Sequence, residues 1–234
     1  MKGVRTLAAI LLTMLLATAA WGGEQVLLQK VQGEVLVRPG VVETWAAARQ
    51  GEELPPDATL KIGKQSAAVI IVGSTSKRIT LPPEVIVEVA DIRELTPEEL
   101  MLKLTMQRVR ASSYERKNKE MHIPSTTTFR GEAKDRRDAL TDADPEEGRL
   151  HINGARVLYT NGFYSTSALR AMDVLRRYPM LATFDNRLLV AEALEKAALK
   201  SEALNEYTML FQSGDLTPIQ REVLASRIAQ LKKK

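Results

Sequence analysis

The chain has 234 residues, of which 44% are hydrophobic, 26% charged and 5% aromatic. This composition excludes wholesale disorder, and the length allows one or two domains of roughly 100–200 residues each. The absence of cysteine excludes a disulfide scaffold, a cysteine-rich zinc site, a thiol nucleophile and an N-terminal lipoprotein anchor. The formal net charge is +4, from 33 basic and 29 acidic residues, but Lys2 and Arg5 lie in the N-terminal segment that we expect to be removed. The remaining +2 is too even a balance to indicate binding to nucleic acid or to an anionic membrane.

Residues 1–22 have the layout of a secretory signal peptide. Lys2 and Arg5 give a basic start, and the apolar run 7–20 ends in the small residues Ala17-Thr18-Ala19. This run is shorter than the about 20 residues that a membrane-spanning helix needs. We therefore expect cleavage near the end of the segment and a periplasmic or secreted mature protein. The alternative is an uncleaved N-terminal anchor.

Residues 24–95 change to a pattern typical of short β-strands. Val31, Gly33, Val35 and Val37 alternate with the residues between them until Pro39-Gly40 closes the run as a turn. Short strands separated by glycine and proline indicate a small antiparallel sandwich or roll. The apolar run 67–72 is predicted to be buried on both faces. Further strands are predicted at 41–45, 59–62, 78–81 and 85–90.

The turns and core positions of this segment follow a defined order: Gly33, Val35, Val37, Trp45, Gly51, Leu54, Asp57, Leu60, Gly63, Ser66, Ala68, Gly73-Ser74 and Leu81-Pro82. Over about 60 residues this order resembles the FecR domain, with Pro56-Asp57 and Val72-Gly73-Ser74 where members carry Gly-Asp and Asp-Gly-Ser. The best-known members relay a transporter signal to a sigma factor through a membrane helix and a cytoplasmic tail. We expect no such tail here, so that activity is not carried over.

A connecting helix over 96–111 and a polar linker over 112–144 are predicted next. Thr96, Pro97 and Glu99 form a capping box with proline at the first helical position. Leu100, Met101, Leu104 and Val109 are expected to form its apolar face. The linker is interpreted as a solvated charge run, with a basic patch for an anionic envelope polymer as the alternative.

A helical repeat is predicted over 145–234. Asp144-Pro145 and Thr217-Pro218 begin helices, and an offset of 35 residues aligns Tyr159 with Leu194 and Ala168-Leu169 with Ala203-Leu204. Small residues at the predicted helix crossings and a proline after the second helix make about 70 residues of this segment resemble tetratricopeptide repeats. Two features depart from that family. No early tryptophan is present, and the spacing from the glycine to the following alanine is one residue longer. The length of this segment and the repeat period fit two helix pairs and a closing helix. Self-association, or docking of the 96–111 helix, would cover the apolar faces that so few repeats leave exposed.

The resemblance to tetratricopeptide repeats implies that the first helix of each pair lines a groove for a partner. On the helix over 145–161, we expect Leu150, Ala155, Leu158 and Tyr159 to face neighbouring helices. The opposite side carries Asn153, Arg156 and Thr160 at positions i, i+3 and i+7. Asparagine can hold a peptide backbone and arginine can clamp a carboxylate. An ordinary solvated helix face is the alternative.

No catalytic or cofactor motif is found. The two histidines, His122 and His151, lack the spacing of a metal site, and Asp142 and Asp144 lack the rest of a calcium loop. Ser165-Thr166-Ser167 has no base nearby in sequence, and Trp45 is interpreted as a core or edge aromatic rather than a ligand platform.

The sequence therefore favours an exported, non-enzymatic binding or scaffolding protein of the bacterial cell envelope, without cofactor or metal. The β module would bind an envelope component, a protein or a peptidoglycan-like polysaccharide, and the helices would bind a protein partner. One alternative is a periplasmic sensor subunit of a transport-signalling pathway. The other is a carbohydrate-processing enzyme, which would need two carboxylates about 5–10 Å apart in one cleft.

Overall fold

The computed structural model describes residues 25–40, 44–73, 76–120, 144–214 and 216–233. The expected signal peptide and residues 121–143 of the expected linker lie outside the described residues. The described residues form two antiparallel sheets of four strands each, followed by six α-helices. The predicted α+β class, with a β module ahead of a helical module, is confirmed.

The two sheets share one apolar core. Numbered along the chain, the strands are β1 (Val26–Gln32), β2 (Val35–Arg38), β3 (Ala46–Ala47), β4 (Glu53–Leu54), β5 (Thr59–Ile62), β6 (Ala67–Val72), β7 (Lys77–Leu81) and β8 (Val85–Glu88). Sheet A has the order β4-β1-β6-β7, and sheet B has the order β3-β2-β5-β8.

Strand β6 is the central apolar strand of sheet A, but only one of its faces is fully buried. Ala68, Ile70 and Val72 are at most 1% exposed, whereas the residues that alternate with them are half-buried. The prediction of burial on both faces is therefore wrong. In a two-layer sandwich only one face of each sheet meets the other sheet, however apolar the strand is.

The alternating run through Val31, Gly33, Val35 and Val37 is two strands rather than one. Gly33 has a φ of +74°, in the left-handed region that glycine adopts at low cost, and it turns the chain from β1 in sheet A to β2 in sheet B. The Glu34 N–H donates to Ser66 Oγ at 2.8 Å and fixes this turn. Period-two alternation does not reveal a change of sheet.

The other strand boundaries follow the glycine and proline punctuation, with three corrections. The short strand β4 at Glu53–Leu54 is not among the predicted strands. Residues 44 and 45 of the strand predicted at 41–45 are not in a strand, and the edge strand lies at Ala46–Ala47, paired with Leu36 and Val37. Residues 41–43 lie outside the described residues. Strand β8 ends at Glu88, and residues Val89–Asp91 form a 3-10 turn that leads towards the helices.

Helix α1 spans Pro97–Glu120 and begins with the predicted capping box. Glu99 N–H donates to Thr96 Oγ1, and Thr96 N–H donates to Glu99 Oε2, both at 3.2 Å. Leu100 and Leu104 are buried, but Met101 is 37% and Val109 is 60% exposed, so only half of the predicted apolar face is correct. The helix ends later than predicted because lysine, arginine and glutamate are good helix formers even where no apolar face continues.

Two helix pairs and a closing helix follow, as predicted: α2 (Pro145–Thr160), α3 (Tyr164–Arg177), α4 (Phe184–Lys196), α5 (Lys200–Gln212) and α6 (Pro218–Lys232). Asp144 Oδ1 accepts the N–H of Glu146 at 2.9 Å, and Thr217 forms a capping box with Gln220. Small residues, among them Ala155 and Ala168, are fully buried where these helices meet.

Helix α2 connects the two modules. At Gly154 the helix comes so close to β8 that a Cβ atom would overlap the carbonyl oxygen of Ile86. Val157, Leu158 and Phe163 belong to the apolar core of the β module, not to that of the helices. The expectation that Leu158 faces a neighbouring helix is therefore wrong, because this side of α2 packs on the sheet.

Candidate functional site

The three residues predicted to bind a partner lie along one side of α2. Asn153 is half-buried, whereas Arg156 and Thr160 are exposed. The N-terminal cap at Asp144 fixes where α2 begins, and packing of Gly154 against β8 fixes which side of the helix stays open. The helical periodicity thus places all three side chains on the accessible surface between α2 and its neighbours.

Two adjoining clefts lie along this side of α2. The central cleft, of about 420 Å³, lies between α2, the turn before β8 and the start of α4, and it is lined by Glu84, Asn153, Arg156 and Asn186. The helix cleft, of about 380 Å³, continues between α2 and α4. Arg156 lines both clefts, so they form one groove, called the helical groove below. The helix cleft is lined by Arg156, Tyr159, Thr160, Asp185, Leu188 and Glu192, among others.

Asn153 and Thr160 already have hydrogen-bond partners within the chain. Asn153 Nδ2 donates to the carbonyl oxygen of Glu84 at 3.0 Å, which ties α2 to the turn before β8. Thr160 Oγ1 donates to the carbonyl oxygen of Val157 at 3.0 Å, within its own helix. The two-sided amide of Asn153 therefore has one of its donors in use for joining the modules.

Arg156 is the residue of the groove with the clearest capacity to bind. Its Nη2 donates to Asn186 Oδ1 at 2.6 Å, and Asn186 Nδ2 in turn donates to the carbonyl oxygen of Leu181 at 2.8 Å. This acceptor is a neutral amide, so it orients the guanidinium without cancelling its charge. The neighbouring Arg149 is different, because it forms an ion pair with Glu146. An oriented, exposed guanidinium can clamp a carboxylate with two parallel hydrogen bonds.

At the far end of the groove, Tyr159 closes the apolar side. Its ring meets that of Tyr164 edge-on, with centroids 5.4 Å apart and an interplanar angle of 70°. Burial raises the pKa of the Tyr159 hydroxyl, and Glu192 raises it further by charge and as a hydrogen-bond partner. The groove thus carries a guanidinium, hydroxyls, a limited apolar wall and the carboxylates of Asp185 and Glu192.

The histidine in this region is buried away from the groove. The His151 side chain is 14% exposed, and its Nε2 lies 3.8 Å from Glu147 Oε1. Burial lowers the pKa of His151, and the nearby positive charge of Arg170 lowers it further. Within the described ranges no group of three or more potential ligand side chains could hold a metal ion. His122 and Asp142 lie outside the described residues.

The serine and threonine run at the start of α3 is a docking element. Ser165 Oγ accepts the N–H of Leu95 at 2.7 Å, and the N–H of Ser165 donates to Glu94 Oε1 at 3.0 Å. Thr166 Oγ1 donates to the carbonyl oxygen of Arg93 at 3.1 Å. All three hydroxyl-bearing residues of the run are buried. Ser165 and Thr166 thus attach the chain segment after β8 to the helical module.

A charged cluster next to this contact was missed by sequence reasoning. Arg170 on α3 lies with its Nη2 2.5 Å from Glu88 Oε2 and 2.6 Å from Asp91 Oδ2. Burial raises the pKa of Asp91, although the attraction of Arg170 opposes that shift. Arg170 and Asp91 are separated by 79 residues in the chain, so no local sequence pattern could have indicated that they form an ion pair.

Trp45 lies half-buried on the outer side of sheet B, where two cations approach its ring. Arg38 Cζ is 4.7 Å and Lys61 Nζ is 5.8 Å from the ring centroid, both within cation–π range. This is the position of an edge aromatic rather than of a core residue.

Comparisons with known proteins do not assign the chain to a class. No protein-family model matches it, no curated protein matches it, and no solved structure matches it. In the part of the chain that the structure describes, none of the helices combines the length and the apolar character needed to cross a membrane.

Proposed function

We propose that this chain is an exported, non-enzymatic binding or scaffolding protein of the bacterial cell envelope. In this proposal the helical groove holds a segment of a protein partner, the β module contacts an envelope component, and the protein acts in the periplasm or outside the cell. The export proposal rests on the residue pattern of 1–22. The FecR-like identity of the β module and the tetratricopeptide-like identity of the helices remain part of the proposal.

One observation carries the binding proposal. Arg156 is exposed, lines both clefts of the groove and is oriented by the neutral amide of Asn186 rather than by a carboxylate. Exposed arginines held in place by a second side chain lose less conformational freedom on binding, which favours their use at protein interfaces.

Site-specific photo-crosslinking in the producing cells tests this proposal. A photoreactive amino acid at Thr160 is expected to give a discrete crosslinked product with an envelope protein, and the same group at Met180, which is 59% exposed, is the control. Arg156→Ala should lower the Thr160 product by at least about fivefold, roughly 1 kcal/mol.

The matched variant is Arg177→Ala, since Arg177 is an exposed arginine on α3 that pairs with Asp173 and lies outside the groove. This variant should leave the Thr160 product unchanged. Equal products at Thr160 and Met180, or equal losses in both arginine variants, would show that the groove is an ordinary solvated surface.

A further inference from the structure

Trp45 lies on a part of sheet B that remains accessible. Helix α2 covers β8 at one edge of this sheet, where Ile86 is only 2% exposed. At the other edge the two residues of β3 are exposed, and Arg38, Trp45 and Lys61 are half-buried. An indole ring at this position can be reached by a partner molecule.

The pairing of the strands brings two cations to this indole. Val37 of β2 pairs with Leu60 of β5, and both are buried, so the alternation along each strand turns Arg38 and Lys61 to the outer face of sheet B. Trp45 directly precedes β3, which pairs with β2. Arg38 Cζ and Lys61 Nζ therefore lie 4.7 Å and 5.8 Å from the centroid of the Trp45 ring.

Both cations are held by the ring and not by a carboxylate. Within the ranges that the structure describes, no ion pair includes Arg38 or Lys61. A cation–π contact at an exposed site is weaker than a charge-assisted hydrogen bond to a carboxylate, and Lys61 lies near the outer limit of such a contact, about 6 Å. A ligand that brings a carboxylate would therefore draw the cations towards itself and free the ring for stacking.

Lys61 also connects this surface to a cleft of about 340 Å³ between sheet B and the start of α2. Leu36 and Leu150 give the cleft apolar walls. Its charged lining residues are Lys61 and Lys64 together with Glu34, Glu84 and Glu146. These charges nearly balance, so the cleft does not favour a run of like charges, and it offers donors and acceptors to hydroxyl and amide groups. The surface beyond Trp45 thus suits a chain in which a charged unit is followed by neutral, hydroxyl-rich units.

We propose that Trp45, Arg38 and Lys61 form a binding site for an acidic sugar of an envelope polysaccharide in which acidic and neutral sugars alternate. One face of a pyranose ring carries C–H groups and can stack on the indole, while its carboxylate takes two parallel hydrogen bonds from Arg38 and the charge of Lys61. A glutamate or aspartate side chain of a protein would use the cations but brings no flat apolar face to the ring.

This inference rests on the proposed function and deepens it, because it names the envelope component that the β module contacts. It also gives Trp45 the role of a ligand platform, which the sequence analysis set aside.

The test uses the full chain in the Trp21→Phe background, where Trp45 is the one tryptophan. The probe is hyaluronan hexasaccharide, in which glucuronate alternates with N-acetylglucosamine, and the neutral match is chitohexaose. We expect a saturable change in Trp45 emission, and binding of the acidic probe at least about tenfold tighter than that of the neutral one by calorimetry. Arg38→Gln and Lys61→Gln should each weaken binding of the acidic probe about fivefold, and Trp45→Leu at least about tenfold.

Arg78→Gln is the matched control, because Arg78 is an exposed arginine on β7 of sheet A, and it should leave the affinity unchanged. Circular dichroism checks that each variant is folded, and the two glutamine variants at half-buried surface positions carry the test if Trp45→Leu does not fold.

Three results would overturn the inference. The first is no binding of the hyaluronan probe at about 1 mM, and the second is equal affinity for chitohexaose or for both glutamine variants, since charge would then play no part. The third is hexaglutamate that binds as tightly as the hyaluronan probe with the same response to the variants, which would show a general carboxylate site instead of a sugar site. None of these results involves the helical groove, so the crosslinking at Thr160 decides the protein-partner part of the proposed function separately.

Discussion

Gly154 shows how one residue sets the distance between two modules. It lies in the interior of α2, where glycine costs about 1 kcal/mol relative to alanine, so helix stability does not explain it. A Cβ atom at this position would overlap the carbonyl oxygen of Ile86 and contact Val87 Cγ2 at 3.4 Å. The absence of a side chain therefore allows the helix backbone to rest directly on β8.

Replacing Gly154 with alanine should destabilise the protein. The added methyl group forces α2 away from β8, and we expect the free energy of unfolding to fall by about 2–3 kcal/mol, after the gain in helix propensity of about 1 kcal/mol is included. Urea unfolding followed by circular dichroism measures the change. Gly214→Ala is the control, since a Cβ there meets nothing within 4 Å, and it should change the stability by less than about 0.5 kcal/mol. Equal stability of the two variants would contradict the close approach.

At the scale of single residues, the sequence predicts the contacts that are made between residues close together in the chain. The caps at Asp144, Thr96 and Thr217 were predicted because each contact is made within three residues of the capping side chain. Asn153, Arg156 and Thr160 were placed on one accessible side of α2 by helical periodicity. Their hydrogen bonds were not predicted, because the acceptor of Asn153 lies 69 residues away in another module.

At the scale of elements, the contact between β8 and α3 depends on charged groups in a half-buried setting. Arg170 Nε donates to Asp91 Oδ2 at 2.7 Å, and its Nη2 also meets Glu88. Burial lowers the pKa of His151 on α2, and Arg170 adds to that effect, whereas Glu147 and Glu88 oppose it. Folding therefore keeps this imidazole neutral at a pH where the unfolded chain would protonate it.

The stability of the protein should fall as the pH drops below about 6.5, the ordinary pKa of histidine. Because the folded pKa of His151 is lowered, the unfolded chain binds the proton first, so its contribution is full above pH 6.5 and is lost as the pH falls through the folded value. The raised pKa of Asp91 acts oppositely: its contribution is present below pH 3.8 and is lost as the pH rises through the folded value.

Urea unfolding between about pH 5 and pH 7.5 measures this dependence. His151→Gln should flatten the slope below pH 6.5, because the titrating group is gone. A slope that persists in His151→Gln would assign the acid sensitivity to other groups.

The elements themselves were predicted unevenly. Strands β5 and β6 have the predicted bounds, because glycine and proline delimit them in the sequence. The break at Gly33 and the edge strand at Ala46–Ala47 were missed, because a change of sheet depends on which strands pair over long distances. Helix α1 extends beyond its apolar pattern, and the residues that follow that pattern include good helix formers.

At the scale of the molecule, the two modules are distinct in secondary structure but not in packing. Val157, Leu158 and Phe163 from the helical part complete the apolar core of the β module. Asn153, Ser165 and Arg170 add hydrogen bonds and an ion pair across the same contact. The sequence predicted the fold class from periodicity, but it could not show that the modules share a core, because the apolar residues of α2 serve two partners.

We therefore expect both modules to unfold in a single transition. In the Trp21→Phe background Trp45 is the one remaining tryptophan, so its fluorescence reports on sheet B, while far-ultraviolet circular dichroism reports mainly on the helices. Unfolding of either module would expose apolar residues of the shared core. The unfolding equilibria of the two modules are therefore coupled, and both probes should give the same urea midpoint.

Proteolysis within residues 112–144 should likewise leave two fragments that co-elute on gel filtration. Midpoints separated by more than about 0.5 M urea, or fragments that elute apart, would show that the modules fold independently.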